Sequence, residues 1–134
     1  MTGLVLKLAP FERVLVNGAV IENGDRRSRI TIRTANANIL RLKDAIHPED
    51  ATTPVARICY IAQLILSGDA DPTEAREQIL IGLDQLSDVF RNAESQDALI
   101  EARAEFVADR AYPGLRRLRR LLELEARLLG RTVA

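Results

Sequence analysis

Asn17-Gly18-Ala19-Val20-Ile21-Glu22-Asn23-Gly24-Asp25-Arg26-Arg27-Ser28 decides how the first third of this chain folds. Two Asn-Gly pairs bracket a short apolar run, and a basic cluster follows the second pair. Asn-Gly between apolar segments is a strong hairpin signal, because both residues tolerate positive φ. Asn17, Gly18, Asn23 and Gly24 are therefore expected to form two turns. The second turn should deliver arginines to one edge of a small β-structure.

Period-two patterning extends outward from that stretch. Leu4, Leu6 and Leu8 alternate with Val5 and Lys7 until Pro10. Val14-Leu15-Val16 and Ala19-Val20-Ile21 flank the first turn. Arg29-Ile30-Thr31-Ile32-Arg33 alternates cleanly, and Ile39-Leu40-Arg41 supplies a fifth short strand. Closely spaced strands with turn residues between them indicate an antiparallel sheet.

From Pro48 onward the period becomes 3.6. Thr53-Pro54 is a cap followed by a first-turn proline, and Ser67-Gly68 is a stop. Asp71-Pro72-Thr73-Glu74 starts a second helix with the features of a capping box. Ile79, Leu83, Leu86 and Phe90 share its inner face. After a break at Asn92–Ser95, a third helix turns Leu99, Ala102 and Phe106 inward. Tyr112-Pro113-Gly114 should break or kink the pattern. Leu115, Leu118, Leu121, Leu122, Leu128 and Leu129 then line a last helix, ended by Gly130. Strands first and helices second make the fold class α+β: a small N-terminal antiparallel β-sheet followed by a C-terminal bundle of three to four helices. The division expected is a basic β-rich subdomain over 1–46 and a helical subdomain over 47–134.

A formal net charge of zero hides segregation. Residues 1–46 carry a balance of +4, residues 49–109 of −9 and residues 110–134 of +5. Such asymmetry points to two basic surfaces separated by an acidic one, or to halves that neutralise each other within the fold or an oligomer.

Catalysis is poorly supported by the residues present. His47 is the only histidine and lies in the seam before Pro48. Cys59, the only cysteine, sits in the apolar run Ile58-Cys59-Tyr60-Ile61, which suits a core role. No metal-ligand spacing and no phosphate-binding glycine loop is present, so neither a metal nor a cofactor is expected. No apolar run approaches the ~18 residues of a membrane span, and no secretory signal is evident. A cytoplasmic protein without enzymatic activity is the expectation.

The arginines form the better candidate site. On the strand after the second turn, Arg27, Arg29, Thr31 and Arg33 project to one face and Ser28, Ile30 and Ile32 to the other. Arg26, Arg41 and Lys43 extend the patch if the strands are adjacent. A guanidinium fork suits phosphate because it donates two hydrogen bonds. The alternative is a sheet face paired with Glu12, Glu22 and Asp25. Stacking aromatics are scarce, since Phe11 alone lies in the β part. The last helix carries a second basic set, with Glu123 placed to pair with Arg120 and Arg127 and with Arg116 and Arg120 on an exposed stripe. Its leucines, Leu115, Leu118 and Leu122 among them, make an apolar face broad enough to pack on a partner helix, a second copy of the chain included.

Asn-Gly-Ala-Val-Ile-x-Asn-Gly-Asp-Arg-Arg at 17–27, preceded by Leu6, Leu8, Pro10 and Glu12, resembles the FlbT family of flagellar biosynthesis repressors. The His-Pro-Glu linker at 47–49, Thr52-Thr53-Pro54, Arg57 and Tyr60 continue the likeness. It covers nearly the whole chain, and its specific part is residues 6–60. The resemblance implies post-transcriptional control of flagellin. Family members bind the 5′ untranslated region of flagellin mRNA and promote its decay, opposed or assisted by the small protein FlaF, and some activate. It implies as partners the flagellin mRNA leader, FlaF and flagellin, and it assigns no residue to RNA. The choice of Arg26, Arg27, Arg29, Arg33, Arg41 and Lys43 rests on the strand pattern. An adaptor that binds FlaF or flagellin through its helices is the alternative function.

Overall fold

The fold is known from a computed structural model, which describes residues 3–130. Five strands precede four helices: β1 (Leu4–Leu8), β2 (Arg13–Val16), β3 (Ala19–Glu22), β4 (Ser28–Ile32), β5 (Ile39–Arg41), α1 (Pro54–Ser67), α2 (Pro72–Ser87), α3 (Ala93–Val107) and α4 (Ala111–Leu128). Two single-turn 3-10 helices, Leu42–Asp44 and Pro48–Asp50, carry the chain across the seam.

The strands form two antiparallel sheets, β1–β4 and β3–β2–β5. The first Asn-Gly is the expected hairpin: Val16 pairs with Ala19, and Asn17 and Gly18 take φ of 48° and 84°. Both positive angles are what a two-residue turn of this hand needs. The second Asn-Gly is different. Neither Asn23 nor Gly24 has positive φ, and β4 pairs with β1 instead of with β3. The Asn23 side chain explains the change. Its Nδ2 donates to the Ala9 carbonyl at 2.8 Å and the Arg26 carbonyl at 2.9 Å, while its Oδ1 accepts from Ser28 Oγ at 2.7 Å. The carboxamide thus holds the 23–28 segment as an open connection docked on the β1–β2 turn. The register that results, Leu6 opposite Ile30 and Leu4 opposite Ile32, gathers the apolar side chains of both strands on one face.

The helix boundaries follow their caps. Thr53 Oγ1 accepts from the Ala56 amide, Asp71 Oδ2 from Glu74 and Asn92 Oδ1 from Ser95. Gly68 closes α1 with φ of 82°. Tyr112-Pro113-Gly114 does not break a helix; it lies in the first turn of α4. Pro113 fits there because the first four amides of a helix have no intrahelical acceptor to lose.

Two apolar clusters result. Leu6, Leu8, Val14, Ala37 and Ile39 fill the β part, and the larger cluster lies among the helices. Adjacent residues of β5 serve both: Ile39 enters the first and Leu40 the second. Tyr112 packs against each. Leu115 and Leu118 are buried in the helical core and Leu122 is half-buried against it. That corrects the expectation of a free leucine face on the last helix, since the chain itself covers the stripe. Only its end, Leu128 and Leu129, is exposed.

Candidate nucleic-acid interface

The β1–β4 ribbon separates its side chains as the alternation requires. Ile30 and Ile32 are half-buried and packed on the β cluster, while Arg29 and Thr31 are exposed. Lys7 lies directly opposite Arg29, so the outer face carries a cross-strand pair of cations. Like charges placed opposite one another are unfavourable in a ribbon and favour an anion that bridges them. Arg26 and Arg27 stand on the connection that Asn23 pins, and Arg33 follows the last residue of β4. From Arg27 to Arg33 the chain advances about 20 Å if extended at ~3.3 Å per residue.

None of Lys7, Arg26, Arg27, Arg29 and Arg33 takes part in an ion pair among the described residues. The last helix is the opposite case. Arg120 and Arg127 both reach Glu94 of α3, at 2.5 and 3.3 Å. Arg117 pairs with Glu101 at 3.1 Å and Arg119 with Asp44 at 3.1 Å. Glu123 is not the partner of Arg120 or Arg127; α3 supplies the carboxylate from across the helix interface. Most of the second basic set therefore faces the acidic segment of its own chain. Exposed pairs of this kind contribute little stability, but they cancel the local field. The ribbon, by contrast, holds five cations with no carboxylate partner among the described residues.

Two residues assigned to the patch from the strand pattern are placed elsewhere. Arg41 is committed to the buried carboxylate of Glu12: its Nε donates to Oε2 at 2.6 Å and an NH2 to Oε1 at 2.8 Å. A second contact runs to the Lys7 carbonyl at 2.5 Å. The hydrogen bonds from Arg41 hold the Glu12 carboxyl down at about 2, against the opposing pull of burial, and the Arg41 pKa is raised in return. Arg41 is a structural cation and is not free for phosphate. Lys43 is exposed, 4.0 Å from the same carboxylate, and lies beyond β5, outside the ribbon.

Arg33 lines a cleft of about 640 Å³ between the end of β4 and the start of α4. Asn36, Arg110, Tyr112, Arg116 and Arg117 also line it. Arg110 is held by Glu105 at 3.4 Å, and the Arg116 guanidinium lies 5.9 Å from the Tyr112 ring centre. The two basic segments of the chain thus meet at this cleft. Two of these contributions were hidden in the sequence. Lys7 is outward by alternation, yet its place opposite Arg29 depends on β1 pairing with a strand twenty residues away. Tyr112 gave no signal, because its role depends on the packing of two clusters.

Catalytic groups are not gathered here. Cys59 is fully buried, and burial pushes its thiol up to about 12. Among the described residues no group of His, Cys, Asp and Glu is arranged to hold a metal ion. No helix among them is long and apolar enough to cross a membrane.

Comparison with known families gives the chain its relatives. The model of the family described as "Flagellar protein FlbT" matches residues 4–129. The chain belongs to the FlbT family. The matched range includes every strand and every helix of the described residues. A Caulobacter sp. (strain K31) relative, "Probable flagellum biosynthesis repressor protein FlbT", is 32% identical over 127 residues, covering 95% of this chain and 96% of its own. A Rhodopseudomonas palustris (strain TIE-1) relative of the same name is 33% identical over 129 residues, with 96% and 98% covered. The Caulobacter vibrioides (strain CB 15) protein "Flagellum biosynthesis repressor protein FlbT" is 31% identical over 127 residues, with 95% and 89% covered. No solved structure matches.

Proposed function

We propose that this FlbT-family chain is a post-transcriptional regulator of flagellin expression in the cytoplasm. It binds the 5′ untranslated region of flagellin mRNA and promotes degradation of the message. The names of its relatives, flagellum biosynthesis repressors, support the regulatory part. The observation that carries RNA binding is the ribbon face, where Lys7, Arg27, Arg29 and Arg33 are exposed without carboxylate partners among the described residues. Phosphate contacts by such side chains position a nucleic acid without chemistry of their own. Decay then follows from how the held leader is presented to cellular nucleases. The test is binding of a labelled flagellin leader to wild type and to Arg27→Ala/Arg29→Ala/Arg33→Ala. The variant should fold normally and lose about a hundredfold in affinity at low salt; equal binding would remove the ribbon from the account.

A second reading, a helical adaptor for FlaF or flagellin, draws on exposed apolar residues outside the leucine stripe. Ile81 of α2 and Ile100 and Val107 of α3 are exposed at 58%, 64% and 59%. Co-purification with FlaF after nuclease treatment, lost on Ile100→Asp, is the result this reading expects.

A further inference from the structure

We infer that the cleft between β4 and α4 seats a short single-stranded segment of the RNA, with phosphate on Arg33 and Arg116 and a base stacked at Tyr112. The inference rests on the RNA reading above and adds to it a location and a strand state.

Charge is the first support. Arg110 and Arg117 have carboxylate partners in Glu105 and Glu101. Arg33 and Arg116 have none among the described residues, so both are available to an anion. The wall formed by Arg110 to Pro113 is also the start of α4, where no side chain caps the first amides. The positive end of an 18-residue helix adds to the same sign of field.

Shape and stacking decide what kind of anion fits. A volume of about 640 Å³ is in the range of small-ligand sites; it admits one or two nucleotides and excludes a duplex. Tyr112 is wedged against both apolar clusters, so its ring is fixed before any ligand arrives. Unstacked bases are recognised on aromatic rings and on guanidinium planes, and the Tyr112–Arg116 pair offers both. Asn36, which takes φ of 55° in the loop between β4 and β5, also lines the cleft. The Glu105 carboxylate, which also lines the cleft beside Arg110, repels phosphate but can accept from an exocyclic base amine.

Position links the cleft to the ribbon. Arg33 belongs to both, so an RNA strand running along Lys7, Arg27 and Arg29 reaches the cleft without a gap in charge. The ribbon grips backbone, and the cleft is where base identity can be read.

The experiment uses the full chain and a flagellin leader RNA substituted with 4-thiouridine, photocrosslinked and mapped by peptide. Crosslinks within 33–37 and 110–117 are expected. Arg116→Glu should weaken leader binding about tenfold and Arg116→Lys much less, with circular dichroism unchanged for both. Annealing the leader to its complement should abolish the cleft crosslinks. Crosslinks confined to 24–31, or full affinity in Arg116→Glu, would overturn the cleft while leaving ribbon binding intact. Polyglutamate that displaces the RNA at equal charge concentration would mark the cleft as an acidic-peptide site instead. Wild-type protein that does not bind the leader at all would overturn the RNA reading and this inference together.

Discussion

Glu12 and Arg41 form a two-pronged ion pair across 29 residues of sequence, at 2.6 and 2.8 Å, with the carboxylate only 4% exposed. Glu12 also accepts from the Ala9 amide at 3.0 Å. One side chain therefore closes the β1–β2 turn and anchors the end of β5. Because folding lowers its pKa from the ordinary 4.5 to about 2, the ionised pair stabilises the protein above pH ~4.5. That stability is lost as pH falls through the window toward 2. Glu12→Gln should cost about 2 kcal/mol at pH 7, less than a fully buried pair because Arg41 keeps some solvent contact. Urea melts of both proteins between pH 7 and pH 2.5 should converge as the pH falls; parallel curves would show that Glu12 is not the titrating group.

Asn23→Ala should loosen the loop that carries Arg26 and Arg27. The variant loses donors to Ala9 and Arg26 and the acceptor for Ser28 Oγ. A loss of about 2 kcal/mol is expected, together with faster hydrogen exchange over 23–28. Leader affinity should drop although no cation is removed.

Gly114→Ala should destabilise even though alanine is the better helix former. A Cβ there would lie 2.6 Å from the ring of Phe106, itself 1% exposed and unable to yield. Overpacking of this kind costs about 1–3 kcal/mol, against a propensity gain of about 1 kcal/mol. Thermal melts should show a lower Tm.

Ser95→Ala should go the other way. Its hydroxyl is buried and has no hydrogen-bond partner among the described residues. Removing it relieves an unsatisfied polar atom and raises helix propensity, a gain of about 1 kcal/mol. A decrease in stability would mean that the oxygen has a partner in solution.

Leader binding should weaken steeply with salt. If Lys7, Arg26, Arg27, Arg29 and Arg33 each neutralise one phosphate of a single strand, log K falls with log salt at a slope of about −3.5. Arg27→Ala/Arg29→Ala/Arg33→Ala should flatten that slope to about −1.4. Fluorescence anisotropy between 50 and 200 mM salt, roughly the range over which such effects are large, measures both slopes.

Local chemistry made much of this fold legible. Thr53, Asp71, Gly68 and the first Asn-Gly act through neighbours within a few residues, so each could be read directly. The inward faces of α2 and α3 followed from periodicity alone. What misled was pairing over distance. Asn23-Gly24 has the letters of a hairpin, but its carboxamide is engaged by carbonyls of another loop. Arg41 has the pattern of a surface strand residue, but a carboxylate 29 positions earlier claims it. The leucines of α4 looked surplus because nothing local says that α1 and α3 pack on them. For the site, alternation placed Arg29 outward and Ile30 inward, while the cleft depends on β4 ending beside the start of α4, a relation no short window contains.

Glu125 is almost wholly buried, and its oxygens accept from Thr53 Oγ1 at 2.5 Å and the Val55 amide at 3.1 Å. The start of α1 is thus completed by a residue that comes 72 positions after Thr53. At ~5–20 residues per second of synthesis, α1 waits roughly 4 to 14 s on the ribosome before that carboxylate exists. During that interval the Val55 amide lacks its carboxylate acceptor. The nascent chain is therefore committed to its native core only once nearly all of α4 has been made.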